Sequence, residues 1–301
     1  MASYKNNPCV MRSPLPPVVL TAARLRCEIV PGLGGCIAGL WCGDVPVLRS
    51  GSAAGLESAR QSGSYPLVPF SNRIAHASLA WDGTNHPLVK NFGTEPHAIH
   101  GVGWTRAWEV IDATERFTLL SYQHRPDGSW PFAFDTSQAF RLSDNALEMT
   151  LSITNQSAQA TPVGLGWHPY FVKRANSRIS FTAQGRWEMD ALKLPTHRSA
   201  SSGITADCAT LDVDHCFDGW SGAVHLQDEL LHTRITSNME RLVVFTNAAQ
   251  HCIAIEPVSH VNNALNLMAQ GVASAEALGV QILQPGESMT REMTIQMDST
   301  C

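Results

Sequence analysis

The chain of 301 residues has no apolar run approaching the ~18 residues of a membrane helix, so no membrane partner is expected. It also lacks a basic stripe. The formal net charge is −5 and the isoelectric point about 6.2, which argues against nucleic acid as a partner. The first residues, Met1 to Pro8, do not follow the basic-then-apolar pattern of a secretory leader, and Pro14, Pro16 and Pro17 interrupt the one apolar candidate. The expected location is the cytoplasm. Eight cysteines are present (Cys9, Cys27, Cys36, Cys42, Cys208, Cys216, Cys252 and Cys301), none in a Cys-x-x-Cys pair. Scattered free thiols are the default reading of that pattern. Gly32–Gly35 lacks the Lys-Ser/Thr continuation of a phosphate loop. No Gly/Ser or Pro linker, charge block or short repeat divides the chain, and 44% hydrophobic residues suffice for a large core. A single domain over residues 1–301 is expected.

Helical periodicity is scarce too. Its one candidate, Asn263–Leu278, is interrupted by Gly271. Period-two alternation dominates instead. Leu147, Met149, Leu151 and Ile153 interleave with Glu148, Thr150, Ser152 and Thr154, which predicts a half-buried strand. Phe132, Phe134 and Thr136, and later Met293, Ile295 and Met297, repeat the pattern. Further strand-like runs are Phe117–Tyr122, Ile179–Ala183, Ala223–Leu226 and Arg241–Thr246. Turn signals such as Asp82-Gly83, Pro126-Asp127-Gly128 and Pro285-Gly286 separate them. Many short strands with frequent turns predict an all-β fold, a large antiparallel β-sandwich.

Two of these runs end on ionisable residues. In Cys252-Ile253-Ala254-Ile255-Glu256, the glutamate shares a face with Cys252 and Ala254. In Val163-Gly164-Leu165-Gly166-Trp167-His168, the histidine shares a face with Gly164 and Gly166. The small neighbours predict space for a ligand on the sheet. A carboxylate and an imidazole at one cleft can remove a proton from one atom and deliver one to its neighbour. Free Glu is ionised at neutral pH and free His partly protonated; nearby negative charge from Glu256 and Asp214 is expected to raise the histidine value.

The segments Asn72-Arg73-Ile74, His100-Gly101-x-Gly103-Trp104, Trp167-His168-Pro169-Tyr170-Phe171, Asp214-His215-x-Phe217 and Ile255-Glu256-Pro257 come in an order that resembles the aldose 1-epimerase (galactose mutarotase) family, as does the closing Gln284-Pro285-Gly286-Glu287. The resemblance implies a galactose mutarotase-like supersandwich, interconversion of the α and β anomers of a free aldose, and no cofactor. It implies Glu256 as general base and His168 as general acid. It further implies Arg73, His100, Asp214 and Asn72 as contacts to the monosaccharide, with Trp104 and Tyr170 as flat apolar surfaces against it. The partner is then a small sugar, and the chain a monomer or homodimer. One segment departs from the pattern of galactose-type members, which carry Pro-Asp-Ala-x-Asn after the catalytic glutamate. Here the run is Asn262-Asn263-Ala264-Leu265-Asn266, with Asn263 in place of the aspartate. That departure puts a preference for galactose in question.

Other readings compete. A non-catalytic carbohydrate-binding module needs Arg73, Asp214 and the rings but not both Glu256 and His168. A hexose-6-phosphate mutarotase is suggested by Lys173, Arg174 and Arg178, which follow the histidine motif. A glycosidase ordinarily pairs two carboxylates, and here the partner is an imidazole. His97, His100 and His168 invite a metal, but no Cys/His grid accompanies them, and no metal is expected.

Overall fold

This computed structural model describes residues 16–299, with side chains through Asp298. Cys9, Pro14, Cys301 and the reading of the first residues lie outside the described residues. Two large antiparallel sheets dominate. The first has nine strands, and its centre is the meander Phe117–His124, Phe134–Leu142, Ala146–Asn155, joined by the long C-terminal strand Ser288–Ser299. The second has eight strands, seven on its main path and Tyr170–Val172 off it beside Cys252–Val258, with Val213–Asp218, Arg241–Thr246 and Cys252–Val258 adjacent at its centre. A four-stranded meander, Val18–Ala22 to Val45–Pro46, opens the described chain.

Alternation places the first sheet. Leu147, Met149, Leu151 and Ile153 are buried, while Glu148 on the other face is exposed. That outer face is tied by hydroxyl pairs across strands, Ser152 to Thr290 and Thr154 to Ser288, both at 2.8 Å. The inner face packs on the second sheet. The rings of Phe181 and Phe217, one from each sheet, meet edge to face at 4.9 Å. Trp167 donates its indole N–H to Gln138 across the same interface, 2.9 Å. The chain thus builds a sandwich whose strands are buried on one side in the first sheet. In Cys252–Val258 of the second sheet, every residue from Ile253 to Val258 is buried.

The expected strands are present with small changes of extent. Phe132 is buried but precedes its strand, which begins at Phe134. The expected helix is two short ones, Ala264–Ala269 and Ala275–Leu278, separated at Gly271, whose φ of 71° no β-carbon-bearing residue adopts cheaply. Asp82-Gly83 turns the hairpin that pairs Trp81 with Thr84, both turn residues having positive φ as a type I′ turn requires. Cys27, Cys36, Cys42, Cys208, Cys216 and Cys252 are free thiols.

Candidate active site

The strand holding Glu256 lies beside the segment holding His168. Gly166 pairs with Val258 and Tyr170 with Ala254. The register on either side therefore puts His168 opposite Glu256. Pro169, between the two short strands, accepts from the Ile255 amide at 3.3 Å, and the His168 amide donates to the Tyr65 carbonyl at 3.0 Å. Both side chains then lie on one face, with His168 Nε2 3.2 Å from Glu256 Oε1. The pair is far apart in sequence but adjacent in the sheet.

The two glycines before His168 serve a different purpose from the one expected. A β-carbon on Gly164 would stand 1.9 Å from the His260 ring, and one on Gly166 2.8 Å from the Pro257 carbonyl oxygen. They clear no room for a ligand. They let the chain approach its neighbours closely enough to align His168 with Glu256. On the glutamate's own strand, Ala254 and Cys252 do face open space, in a second hollow described below.

Protonation also departs from expectation. Burial pushes the His168 imidazole down to about 3, and the Arg49 guanidinium adds to the effect. Arg49 stands 3.9 Å from the Tyr170 ring centre, and Tyr170 stacks on His168 at 4.4 Å. Negative charge does not compensate, because burial, and then Asp214, hold the Glu256 carboxyl well above its ordinary range. At 3.2 Å the contact is an ion pair only if the proton sits on the imidazole. Burial of both groups favours the proton on the carboxyl. These are two arrangements of the same two protons, so the pair interconverts without exchange with solvent. Glu256 Oε2 and His168 Nδ1, both buried, bond to no described residue.

In the short ladder Arg73–Ile74 with Ala98–Ile99, Arg73 pairs with Ile99, and just beyond it the His100 amide donates to the Asn72 carbonyl at 2.8 Å. Arg73 donates from Nε to Glu95 at 2.7 Å and from Nη1 to the Asn72 side-chain oxygen at 3.1 Å. Nη2 bonds to no described residue and remains for a ligand. The Asn72 amide donates to His100 Nδ1 at 3.1 Å, so a neutral His100 carries its proton on Nε2. Burial keeps His100 well below its ordinary pKa, helped by His168 and Arg73. Asn72 and His100 both have positive φ, 53° and 61°, a conformation uncommon for residues with a β-carbon but one that Asn and His adopt more readily than most. Asn263 braces this loop from below. Its amide donates to the Arg73 carbonyl at 2.9 Å, and its side-chain oxygen accepts from the Ala75 amide at 3.0 Å. Asn263 therefore retains the acceptor an aspartate would supply and lies away from the hollow's lining.

These residues line one hollow of about 190 Å³: Glu256, His168, Arg73, Asn72, His100, Asp214 and Tyr170 are all on its wall. Trp104 is not. It is buried behind Tyr65 and Phe92, with ring centres 5.7 and 6.2 Å away, and donates to the Ile99 carbonyl. The expected stacking surface there is core. Tyr65, Phe92, Val243 and Phe245 supply the apolar wall instead. Val243 and Phe245 alternate within Arg241–Thr246, and Val243 pairs with Glu256; that pairing is the signal that identifies them. Lys193 is a further residue that sequence reasoning missed. At a hairpin tip with φ 61°, it meets Asp214 at 3.1 Å.

The other candidates are occupied elsewhere. Lys173 donates to Thr246 and the Asn247 carbonyl, and Arg174 to Asp228 and the Pro46 carbonyl. Arg178 is an exposed residue at the start of the strand Arg178–Phe181. None of the three lines the hollow. Asp218 is held by Arg198 and the Trp187 indole. His97 accepts from the His76 amide and bonds the Leu192 carbonyl, which ties the Lys193 hairpin to the site. Among the described residues, no cluster of three His, Cys, Asp or Glu side chains is arranged to hold a metal ion.

Comparison with known proteins bears on the family and the fold. The uncharacterized Escherichia coli (strain K12) protein YphB is 30% identical over 88% of this chain and 93% of its own. A solved Escherichia coli K12 structure superposes with a TM-score of 0.84 at 28% identity, covering 94% of this chain and 99% of the other. A galactose mutarotase-like protein from Clostridium acetobutylicum superposes at 0.81 with 18% identity, covering 94% and 95%, which shows the shared fold. The family model for aldose 1-epimerase matches residues 18–296, and the chain belongs to that family.

Proposed function

We propose that this protein is a mutarotase, which opens and recloses the ring of a free aldose with Glu256 as base and His168 as acid. The observation that carries the proposal is their 3.2 Å contact on the wall of a hollow that also offers Arg73, His100 and Asp214. With the shared proton on His168, Glu256 is a carboxylate and His168 an imidazolium. The carboxylate takes the proton of the anomeric hydroxyl, and the C1–O1 bond becomes a carbonyl. The C1–ring oxygen bond breaks, and its electron pair takes the proton offered by His168. The pair is then Glu–COOH and neutral imidazole, the arrangement burial prefers. Rotation about C1–C2 presents the other carbonyl face. Closure reverses both transfers, so no proton is gained or lost overall.

Arg73 Nη2 and the Asp214 carboxylate suit vicinal hydroxyls, as donor and acceptor. The aromatic wall suits the C–H face of a pyranose. The test is to add pure protein to freshly dissolved α-D-glucose or α-D-galactose and follow optical rotation. Faster approach to equilibrium that scales with protein concentration supports the proposal. Tight sugar binding without any acceleration supports the carbohydrate-binding module instead.

A further inference from the structure

The concave face does not end at the reacting pair. Along the Glu256 strand, Ala254 and then Cys252 continue the same face, and both line a second hollow of about 220 Å³. Tyr170 and Phe245 belong to the walls of both hollows. One alternation along a strand is roughly 6.8 Å. That is about the reach from C1 of a pyranose to a substituent on its C6. A sugar with its anomeric carbon at Glu256 is long enough to reach along this floor to Ala254.

The second hollow is lined by Arg49, Gln250 and His251, with the Tyr170 hydroxyl and the Cys252 thiol, and its lining contains no carboxylate, in a chain of net charge −5. Arg49 is not held by a carboxylate among the described residues. Its Nε and Nη2 donate to the carbonyls of Ser62 and Arg60, and its guanidinium covers the Tyr170 ring. Nη1 makes no bond to a described residue. A guanidinium anchored by neutral carbonyls keeps its full charge for a ligand and presents donors in fixed directions. Lys173, fixed behind the strand end by Thr246 and Asn247, adds charge of the same sign. It and Arg49 both lower the Cys252 thiol pKa against the upward push of burial.

We infer that the second hollow is a subsite for an oxyanion, and that the aldose turned over here carries a phosphate or carboxylate at the end remote from C1, read by Arg49. The inference rests on the mutarotase reading and adds the substrate class. It assigns the anion to Arg49 and not to Arg174 and Arg178, whose surroundings are described above.

The experiment compares anomer exchange by magnetization-transfer NMR for glucose, glucose 6-phosphate and glucuronate, using wild type, Arg49→Gln and Gln250→Glu. Wild type is expected to show kcat/KM at least tenfold higher for one of the charged sugars than for glucose, and which one separates phosphate from carboxylate. Each variant lowers that ratio about tenfold, chiefly through KM. Gln250 is exposed, so its variant keeps the test decisive if Arg49→Gln does not fold. Equal kcat/KM for charged and neutral sugars, or a ratio unchanged in Gln250→Glu, overturns the inference. If no sugar exchanges at all, the mutarotase reading fails, and calorimetry decides the subsite alone. Tighter binding of a charged sugar than of glucose, weakened in Gln250→Glu, then upholds it, and equal binding overturns it.

Discussion

His168 Nε2 lies 3.2 Å from Glu256 Oε1, with both side chains almost fully buried. One proton placed between these atoms decides whether the site is neutral or carries two opposite charges. Because both states hold the same number of protons, pH does not choose between them; burial and bound sugar do.

The pH profile of activity follows from that count. The pair gains a third proton only when His168 accepts one beside a neutral Glu256, toward about 3, far under the ~6.5 of a free imidazole. Enzyme-dependent kcat/KM, after subtraction of solvent-catalysed exchange, should stay level from pH 6.5 down to roughly pH 5. Polarimetry across that range checks it. A half-maximal loss near the free-imidazole value contradicts the assignment of burial as the controlling factor.

Stability should move the opposite way from activity when the carboxyl is removed. Glu256 has a raised pKa in the folded state. Its contribution to stability is therefore whole below the ordinary carboxyl value of ~4.3 and is lost as pH rises through the folded value. Glu256→Gln cannot ionise, so its thermal midpoint should exceed that of wild type at pH 8, with the gap closing toward pH 4. Scanning calorimetry at the two pH values measures this. For His168 the sign is reversed: its depressed pKa gives a contribution present above the ordinary imidazole value and lost as pH falls toward about 3.

Asn263 is a positioning residue. Asn263→Ala removes the acceptor for the Ala75 amide and places a β-carbon-bearing alkyl residue at φ 55°. The expected loss is about 1 kcal/mol for the unpaired, partly buried donor, together with a raised KM as Arg73 loosens. Asn263→Asp restores the acceptor, and both stability and KM should return close to wild type. An aspartate variant as impaired as the alanine variant counts against this account of the departure from the family pattern.

Gly166→Ala tests the register. The added methyl would meet the Pro257 carbonyl oxygen at 2.8 Å and Val258 Cγ1 at 2.9 Å. Overpacking of this kind costs roughly 1–3 kcal/mol, and pushing the strands apart also separates His168 from Glu256. Denaturant unfolding and mutarotation rates should fall together; lost stability with full activity argues that alignment is set elsewhere.

The strands with one buried face were legible in the sequence because alternation reports burial directly, as at Leu147, Met149, Leu151 and Ile153. Seven of the eight site candidates meet at one hollow because their motifs carried them; the eighth, Trp104, failed because a large ring beside a motif is as useful to the core as to a ligand. Pairing between distant segments was not legible. Alternation showed which face of its own strand Glu256 occupies, but only the register Gly166 to Val258 and Tyr170 to Ala254 sets it opposite His168. Long-range pairing also brings Phe245 to the site beside Ala254, and the Lys193 hairpin reaches it through Asp214. Protonation was misread for a related reason. Charges are visible in a sequence, while the burial that outweighs them here is a property of the packed sandwich.

The most direct test of the central claim is the rate of anomer exchange in Glu256→Gln, His168→Asn and the double variant, each shown to fold. Each single change should lower the enzyme-dependent kcat by ~10²–10⁴, and the double variant should be little worse than the poorer single one, because both groups act on one transition state. Either single variant exchanging anomers at the wild-type rate contradicts the account.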